Sequence, residues 1–161
     1  MRKCSTIVAV DRSDFRLELA KRLGATHTIN STDTDLVQEI LQITNGRGVH
    51  VSLDTTGVST LAQQSWEFVR RRGKILQVGL ARPDHVWAIP MADHMNMGKQ
   101  VIGCVEGDAV PQEYVTAMIG WYRAGDLPLE LIVRQYPIAE WQKAFEDMKS
   151  GLTVKPVLVW E

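Results

Sequence analysis

Thr6-Ile7-Val8-Ala9-Val10-Asp11 decides how this chain folds. The residues up to Val10 form an apolar, largely β-branched run with no polar alternation, the pattern of a strand covered on both faces. Ser13 can cap a following helix in which Phe15, Leu19, Ala20 and Leu23 share a face, and Gly24 ends it. A buried strand closed by an acid and feeding an amphipathic helix is the first unit of a pattern.

The unit repeats outward from there. A short strand is predicted over 27–30, then a helix started by Asp33 or Thr34 with Leu36, Val37, Ile40, Leu41 and Thr44 on one side. Asn45-Gly46-Arg47-Gly48 breaks it. A strand over 49–54 runs into Thr55-Thr56-Gly57, which opens a helix carrying Leu61, Ala62, Ser65, Trp66 and Val69. Gly73 is expected to end that helix before a strand over 74–79. The stretch 80–99 is irregular and holds two Asp-His pairs, Asp84-His85 and Asp93-His94. A strand from Val101 to Glu106 follows, then a helix over 110–124 with Val115, Met118, Ile119 and Tyr122 inward. The chain closes with a strand over 131–136, a helix over 139–150 bearing Trp141, Ala144, Phe145 and Met148, and a strand over 156–160. Such alternation predicts an α/β fold of three layers around a mostly parallel sheet with right-handed crossovers. No repeat, linker or low-complexity segment divides it, so one domain over 1–161 is expected.

Composition narrows the partners. With 161 residues, and 18 basic against 19 acidic side chains, the chain is one domain's length and nearly neutral. Neither nucleic acid nor a membrane is expected as a partner. Arg70-Arg71-Arg72 is the single basic run, read as a solvated helix end where cations complement the dipole. Cys4 and Cys104 make neither a disulfide framework nor a zinc cluster, the apolar runs are strand-sized, and no signal peptide is expected ahead of them; a cytoplasmic location is expected. Cys104 reads as a small buried residue.

The strand ended by Asp11 and its helix resemble the second βα step of a Rossmann dinucleotide-binding domain. The chain as a whole resembles the C-terminal portion of medium-chain, zinc-type alcohol dehydrogenases. The markers are Val8-Ala9-Val10-Asp11, Ala20-Lys21-Arg22-Leu23-Gly24-Ala25-Thr26, and Gly46-Arg47-Gly48-Val49-His50-Val51-Ser52-Leu53-Asp54-Thr55-Thr56-Gly57. Gly73-Lys74-Ile75-Leu76-Gln77-Val78-Gly79 and Phe145-Glu146-Asp147-Met148-Lys149-Ser150-Gly151 complete the set; each is weak alone, and their order and spacing make the match. The resemblance implies that Asp11 binds the adenosine ribose hydroxyls and favours NAD over NADP, since its charge repels a 2′-phosphate. It places Arg16 near the same ribose, Thr55, Thr56 and Gly57 beside the nicotinamide, Val78, Gly79 and Leu80 at its carboxamide, and Lys155 at the pyrophosphate. The plain alternatives stay open: a helix cap for Asp11, turn glycines, a solvated lysine.

The departures from that family bear on activity. Its glycine-rich turn lies roughly 20 residues ahead of the acid, whereas ten residues, none of them glycine, precede Asp11. The resemblance therefore implies a truncated domain without the first strand, the glycine turn or the catalytic zinc domain. NAD binding is expected to be weak or lost, zinc absent, and hydride transfer beyond the chain alone. Without the central strand, the expected repairs are direct pairing of 6–10 with 49–53, a strand exchanged from a second chain, or an open groove. A homodimer through the strand from Val101 to Glu106 is also implied. Met1-Arg2-Lys3 fits a shortened gene or an engineered fragment.

For chemistry in what remains, the crevice at the carboxyl ends of the strands is the default small-molecule site. Asp54, His85 and His94 are the candidate general bases, with solvated loop histidines as the plain alternative. Trp87 reads as a ligand wall or interface residue. Three functions follow: a residual NAD(H)-binding domain, a repurposed cofactor-independent isomerase, cyclase or dehydratase on a small apolar metabolite, or a dimeric interaction subunit.

Overall fold

A computed structural model describes residues 4–160, so the polar start at residues 1–3 lies outside the described part. The chain divides into two compact units, one made of residues up to Asn30 together with those from Val110 onward, the other of Ser31–Ala109.

In the first unit, β1 (Val8–Asp11) pairs in parallel with β2 (His27–Asn30) through the crossover helix α1 (Asp14–Arg22). Ser13 sits at the helix N-cap, but its side chain makes no capping bond. Asp11 makes the turn instead, its Oδ1 accepting from the Arg12 and Ser13 amides at 2.8 and 2.9 Å. This fixes the phase of α1. The inward arc runs through Arg16, Leu17, Leu19 and Ala20, while Phe15 and Leu23, expected inside, are exposed.

Two further elements pair in this unit, β6 (Val133–Pro137) with β7 (Lys155–Val159), again in parallel and joined by α6 (Trp141–Ser150). Buried Tyr136 and Ala144 form its core, and the Tyr136 hydroxyl donates to Asp147 Oδ2 at 2.8 Å. Trp141 and Phe145 do not point inward; they are half exposed and meet edge to face at 6.2 Å. The helix α5 (Pro111–Arg123) has no buried residue. Of its expected inward set, Val115, Ile119 and Tyr122 are exposed and Met118 is half-buried. Periodicity identifies an apolar stripe, but burial needs an element to lie over it.

The second unit is a parallel sheet in the order β3 (Val49–Asp54), β4 (Val69–Gln77), β5 (Gln100–Gly103). Helix α2 (Leu36–Ile43) starts later than either residue proposed for it: Asp35 is the cap and accepts from the Gln38 amide at 3.1 Å. Helix α3 (Ser59–Phe68) buries Ala62, Ser65 and Trp66 as its spacing predicts. It stops at Phe68, so the arginine run belongs to β4 and not to a helix end. The register slips there, from Val49 opposite Val69 to Val51 opposite Lys74, and the three exposed arginines lie within the slip. Ile75 and Val69 are the most completely buried side chains. A short helix α4 (Met91–Met97) ends at Gly98, and β5 stops at Gly103 rather than running to Glu106.

Every described ladder is parallel, and the fold is α/β as the alternation required. The strands form four ladders in three sheets, and β1 has β2 as its described partner while β3 has β4. The direct pairing of 6–10 with 49–53 is therefore not among them. Each strand has instead joined the neighbour that its own crossover helix delivers.

Candidate functional site

Within the second unit, β3 and β4 end side by side with Asp54 opposite Gln77. Asp54 is buried, at 7% exposure, so its carboxylate must be matched by donors. Oδ1 accepts from the Thr56 amide at 2.8 Å and the Thr56 hydroxyl at 2.7 Å, and Oδ2 accepts from Gln77 Nε2 at 2.8 Å. The Asp54 carbonyl takes the amides of Val78 and Gly79, both at 2.9 Å. Of the three candidate bases, this one organises the loop around it.

The glycines set how closely the two strand ends approach. A Cβ on Gly79 would lie 2.2 Å from the Gly57 nitrogen, and one on Gly57, whose φ is +69°, would lie 2.4 Å from the Leu80 oxygen. Backbone therefore touches backbone, and Thr55, Thr56 and Gly57 are brought against Val78, Gly79 and Leu80 as one wall. Thr55 and Leu80 are on its exposed side, Leu80 at 97%.

His85 and His94 serve different surroundings. His85 Nδ1 is 3.4 Å from the Gly57 oxygen, and its ring lines a cavity of about 130 Å³ shared with Gln77 and Trp87. His94 stands edge-on to Trp66, centroids 5.7 Å apart, and lines a shallow depression with Met91, Met95 and Lys99. Lys99 escaped the sequence reading. It is buried, donates from Nζ to the Trp66 carbonyl, and lies 5.0 Å over the Trp66 ring. Burial pulls its pKa below 10.5, against the opposing pull of Asp93 and Glu67. A lysine between a glycine and a strand carries no pattern that announces burial.

In the first unit, Asp11 and Arg16 come together. With Oδ1 committed to the turn, Asp11 Oδ2 faces Arg16 Nη1 at 3.7 Å, and both side chains stay partly open to solvent. Arg16 Nε is buried without a hydrogen-bond partner. Asn30 Nδ2 donates to Asp14 Oδ1 at 2.8 Å, pinning the end of β2 to α1. Lys155 is exposed at the start of β7, its amide bonded to the Ile132 oxygen at 3.0 Å.

Taken unit by unit, two features fit a dinucleotide: in the first, an acid at a strand end with one oxygen outside the turn and facing Arg16, and in the second, a glycine-walled loop pair that side chains would obstruct. Among the described residues, no group of three or more His, Cys, Asp or Glu is placed to hold a metal ion. No helix among the described residues is long and apolar enough to cross a membrane.

Parallel βαβ units with these strand ends define a Rossmann-type α/β protein of the dehydrogenase kind. The chain belongs to the zinc-binding dehydrogenase family, which matches residues 1–123. It is 30% identical to geraniol dehydrogenase of Castellaniella defragrans over 96% of this chain and 41% of that protein. To L-threonine 3-dehydrogenase of Caldanaerobacter subterraneus it is 32% identical over 96% of this chain and 44% of the relative. Among solved structures, benzyl alcohol dehydrogenase from Acinetobacter calcoaceticus superposes with a TM-score of 0.93 at 35% identity, covering 98% of this chain and 43% of that one. The chain thus spans less than half the length of these relatives.

Proposed function

We propose that this chain contributes the dinucleotide side of a zinc-type dehydrogenase and binds NAD(H) weakly by itself. The carrying observation is the division of labour at Asp11. One carboxylate oxygen holds the β1–α1 turn, and the other, partly open to solvent and 3.7 Å from Arg16 Nη1, would accept from ribose hydroxyls. Arg16, its Nε unpartnered, sits beside the same carboxylate. Bound NAD supplies hydride chemistry; the residues argued here bind and orient. Thr55, Thr56 and Gly57 with Val78, Gly79 and Leu80 would wall the nicotinamide, and Lys155 would neutralise phosphate. Hydride transfer is expected to need groups that these residues do not include. An apolar alcohol of the geraniol or benzyl alcohol kind is the substrate class proposed for the active whole.

Calorimetric titration tests this. Saturable NAD⁺ binding in the millimolar range or tighter, with NADP⁺ weaker, supports the reading; no heat at millimolar NAD⁺ sinks it.

A second reading has one observation behind it. His85 lines a cavity beside the loop pair, where its imidazole could serve as general base in a cofactor-independent isomerisation or dehydration. Loss of turnover in His85→Gln with the fold intact would support this over NAD binding. The homodimer proposed through the segment from Val101 to Glu106, of which β5 takes in the part up to Gly103, draws on the exposure of Val101, Ile102 and Val105; sedimentation that gives a monomer at all concentrations would remove it.

A further inference from the structure

Helix α4 sets a group of sulfur side chains in the open. It reads Met91-Ala92-Asp93-His94-Met95-Asn96-Met97, so three of the chain's six methionines fall within one seven-residue helix. Methionine ordinarily fills gaps in a core. Yet α4 buries none of its residues, and Met91 and Met95 are 88% and 76% exposed. Packing therefore does not account for them.

Helical spacing joins two of these thioethers to a histidine. Positions i, i+3 and i+4 share one face of a helix, which puts His94 and Met95 one turn from Met91. All three border the same shallow depression. The His94 ring stands edge-on to Trp66, centroids 5.7 Å apart. Neither of its nitrogens has a hydrogen-bond partner among the described residues, so a ring nitrogen is open to a ligand.

The donor set selects that ligand. Two thioether sulfurs and an imidazole nitrogen are soft donors, and no residue bordering the depression is a carboxylate. Such a set suits Cu(I), whereas calcium, magnesium and manganese require oxygen. Charge points the same way. Lys99 also borders the depression, and Coulomb repulsion scales with charge, so a monovalent ion is opposed less than a divalent one. We propose that Met91, His94 and Met95 form a binding site for a soft monovalent cation of the Cu(I) type, held by the two sulfurs and one His94 nitrogen. The site shares no residue with those argued to hold NAD and does not depend on dinucleotide binding.

Ag⁺ is the probe, because it matches Cu(I) in charge and softness and does not change oxidation state. It is titrated into Cys4→Ser/Cys104→Ser, which removes competing thiols, with the methionine methyl groups ¹³C-labelled. Saturation is expected at one equivalent, with the Met91 and Met95 methyls and the His94 ring moving together while Met118 and Met148 stay in place. Met91→Leu and His94→Gln should each weaken Ag⁺ binding at least about ten-fold, with the far-UV circular dichroism unchanged. Should the double serine variant not fold, the parent gives the same readout from the third equivalent, once its two thiols are filled. Zn²⁺, divalent and harder, should leave the methyls in place. Equal movement of every methionine methyl overturns the proposal, as does Ag⁺ affinity unchanged in His94→Gln, or methyl shifts with Zn²⁺ as large as with Ag⁺. No shift at stoichiometric Ag⁺ also overturns it and leaves α4 as an apolar surface.

Discussion

Gln77 Nε2 donates to Asp54 Oδ2 at 2.8 Å, tying together the last residues of two neighbouring parallel strands. Asp54 Oδ1 at the same time takes two donors from Thr56. One buried carboxylate therefore sets the spacing between the loop after β3 and the loop after β4.

Replacing that carboxylate by an amide breaks the pairing of donors and acceptors. In Asp54→Asn the Nδ2 either meets the Thr56 donors or is accepted by a flipped Gln77 Oε1, which puts Gln77 Nε2 in the buried, partnerless place that Oε1 held; either way a buried donor is left unsatisfied. The expected loss is about 1–3 kcal/mol, or very roughly 2–10 °C in melting temperature for a domain of this size. Thermal unfolding followed by circular dichroism measures it, and an unchanged midpoint would show that the network does not hold the loops.

Gly79→Ala probes the same contact from the backbone side. The new methyl would lie 2.2 Å from the Gly57 nitrogen and 2.6 Å from the Thr56 nitrogen, both main-chain atoms that no rotamer change can clear. Overpacking of this kind costs about 1–3 kcal/mol. NAD⁺ binding, if present in the parent, should fall with it. A variant as stable as the parent would mean the two loops separate freely.

Gly120 offers the opposite case. It lies inside α5, and a Cβ there would meet nothing within 4 Å. Gly120→Ala should stabilise the chain by about 0.5–1 kcal/mol, through the smaller entropy its unfolded state has to lose. A destabilised variant would indicate that something lies over that face of α5 in solution.

Asp11→Asn separates two jobs that sequence could not. The amide oxygen can still accept from the Arg12 and Ser13 amides, so the turn should survive. The charge toward the ribose is lost, and NAD⁺ affinity should drop about ten- to a hundred-fold, the worth of a hydrogen bond to a charged acceptor. NADP⁺ should be affected less, because the repulsion of its 2′-phosphate goes too. Equal losses for both nucleotides would argue that Asp11 only shapes the turn.

The order of elements was legible because the run 6–10 is almost continuously apolar, the run 49–54 alternates apolar and polar with period two, and helix faces such as Leu36–Ile40 keep their period. Where reading failed, the missing information was three-dimensional. Arg70-Arg71-Arg72 looked like a helix end, yet the slip opposite Val49 draws the chain into β4 at Val69. The stripe of Val115, Ile119 and Tyr122 was visible, but no spacing says whether anything covers it. At the candidate site, Gly57 and Gly79 were named from resemblance and Asp54 as a base at the strand-end crevice, while the Asp54–Gln77 bond depends on a register that only the paired strands fix. Lys99 was invisible because its burial depends on Trp66, 33 residues earlier.

Lys99 also gives the chain a pH signature. Its folded-state pKa lies below 10.5, because burial penalises the ammonium more than Asp93 and Glu67 favour it. Between that lowered value and 10.5 the unfolded chain holds a proton that the folded chain has released, so this group's contribution to stability rises with pH across the window. The penalty is fully present below the folded value and gone above 10.5. Tyr136 works the other way: burial and its bond to Asp147 raise its pKa above 10.0, so the folded chain keeps that proton longer and stability falls as pH rises. Comparing the parent with Lys99→Met cancels the tyrosine, which both proteins share. In urea unfolding at neutral pH and again near pH 10, the parent should gain stability relative to Lys99→Met as the pH rises. A difference that stays flat or shrinks would mean that the Lys99 ammonium is not desolvated beneath Trp66.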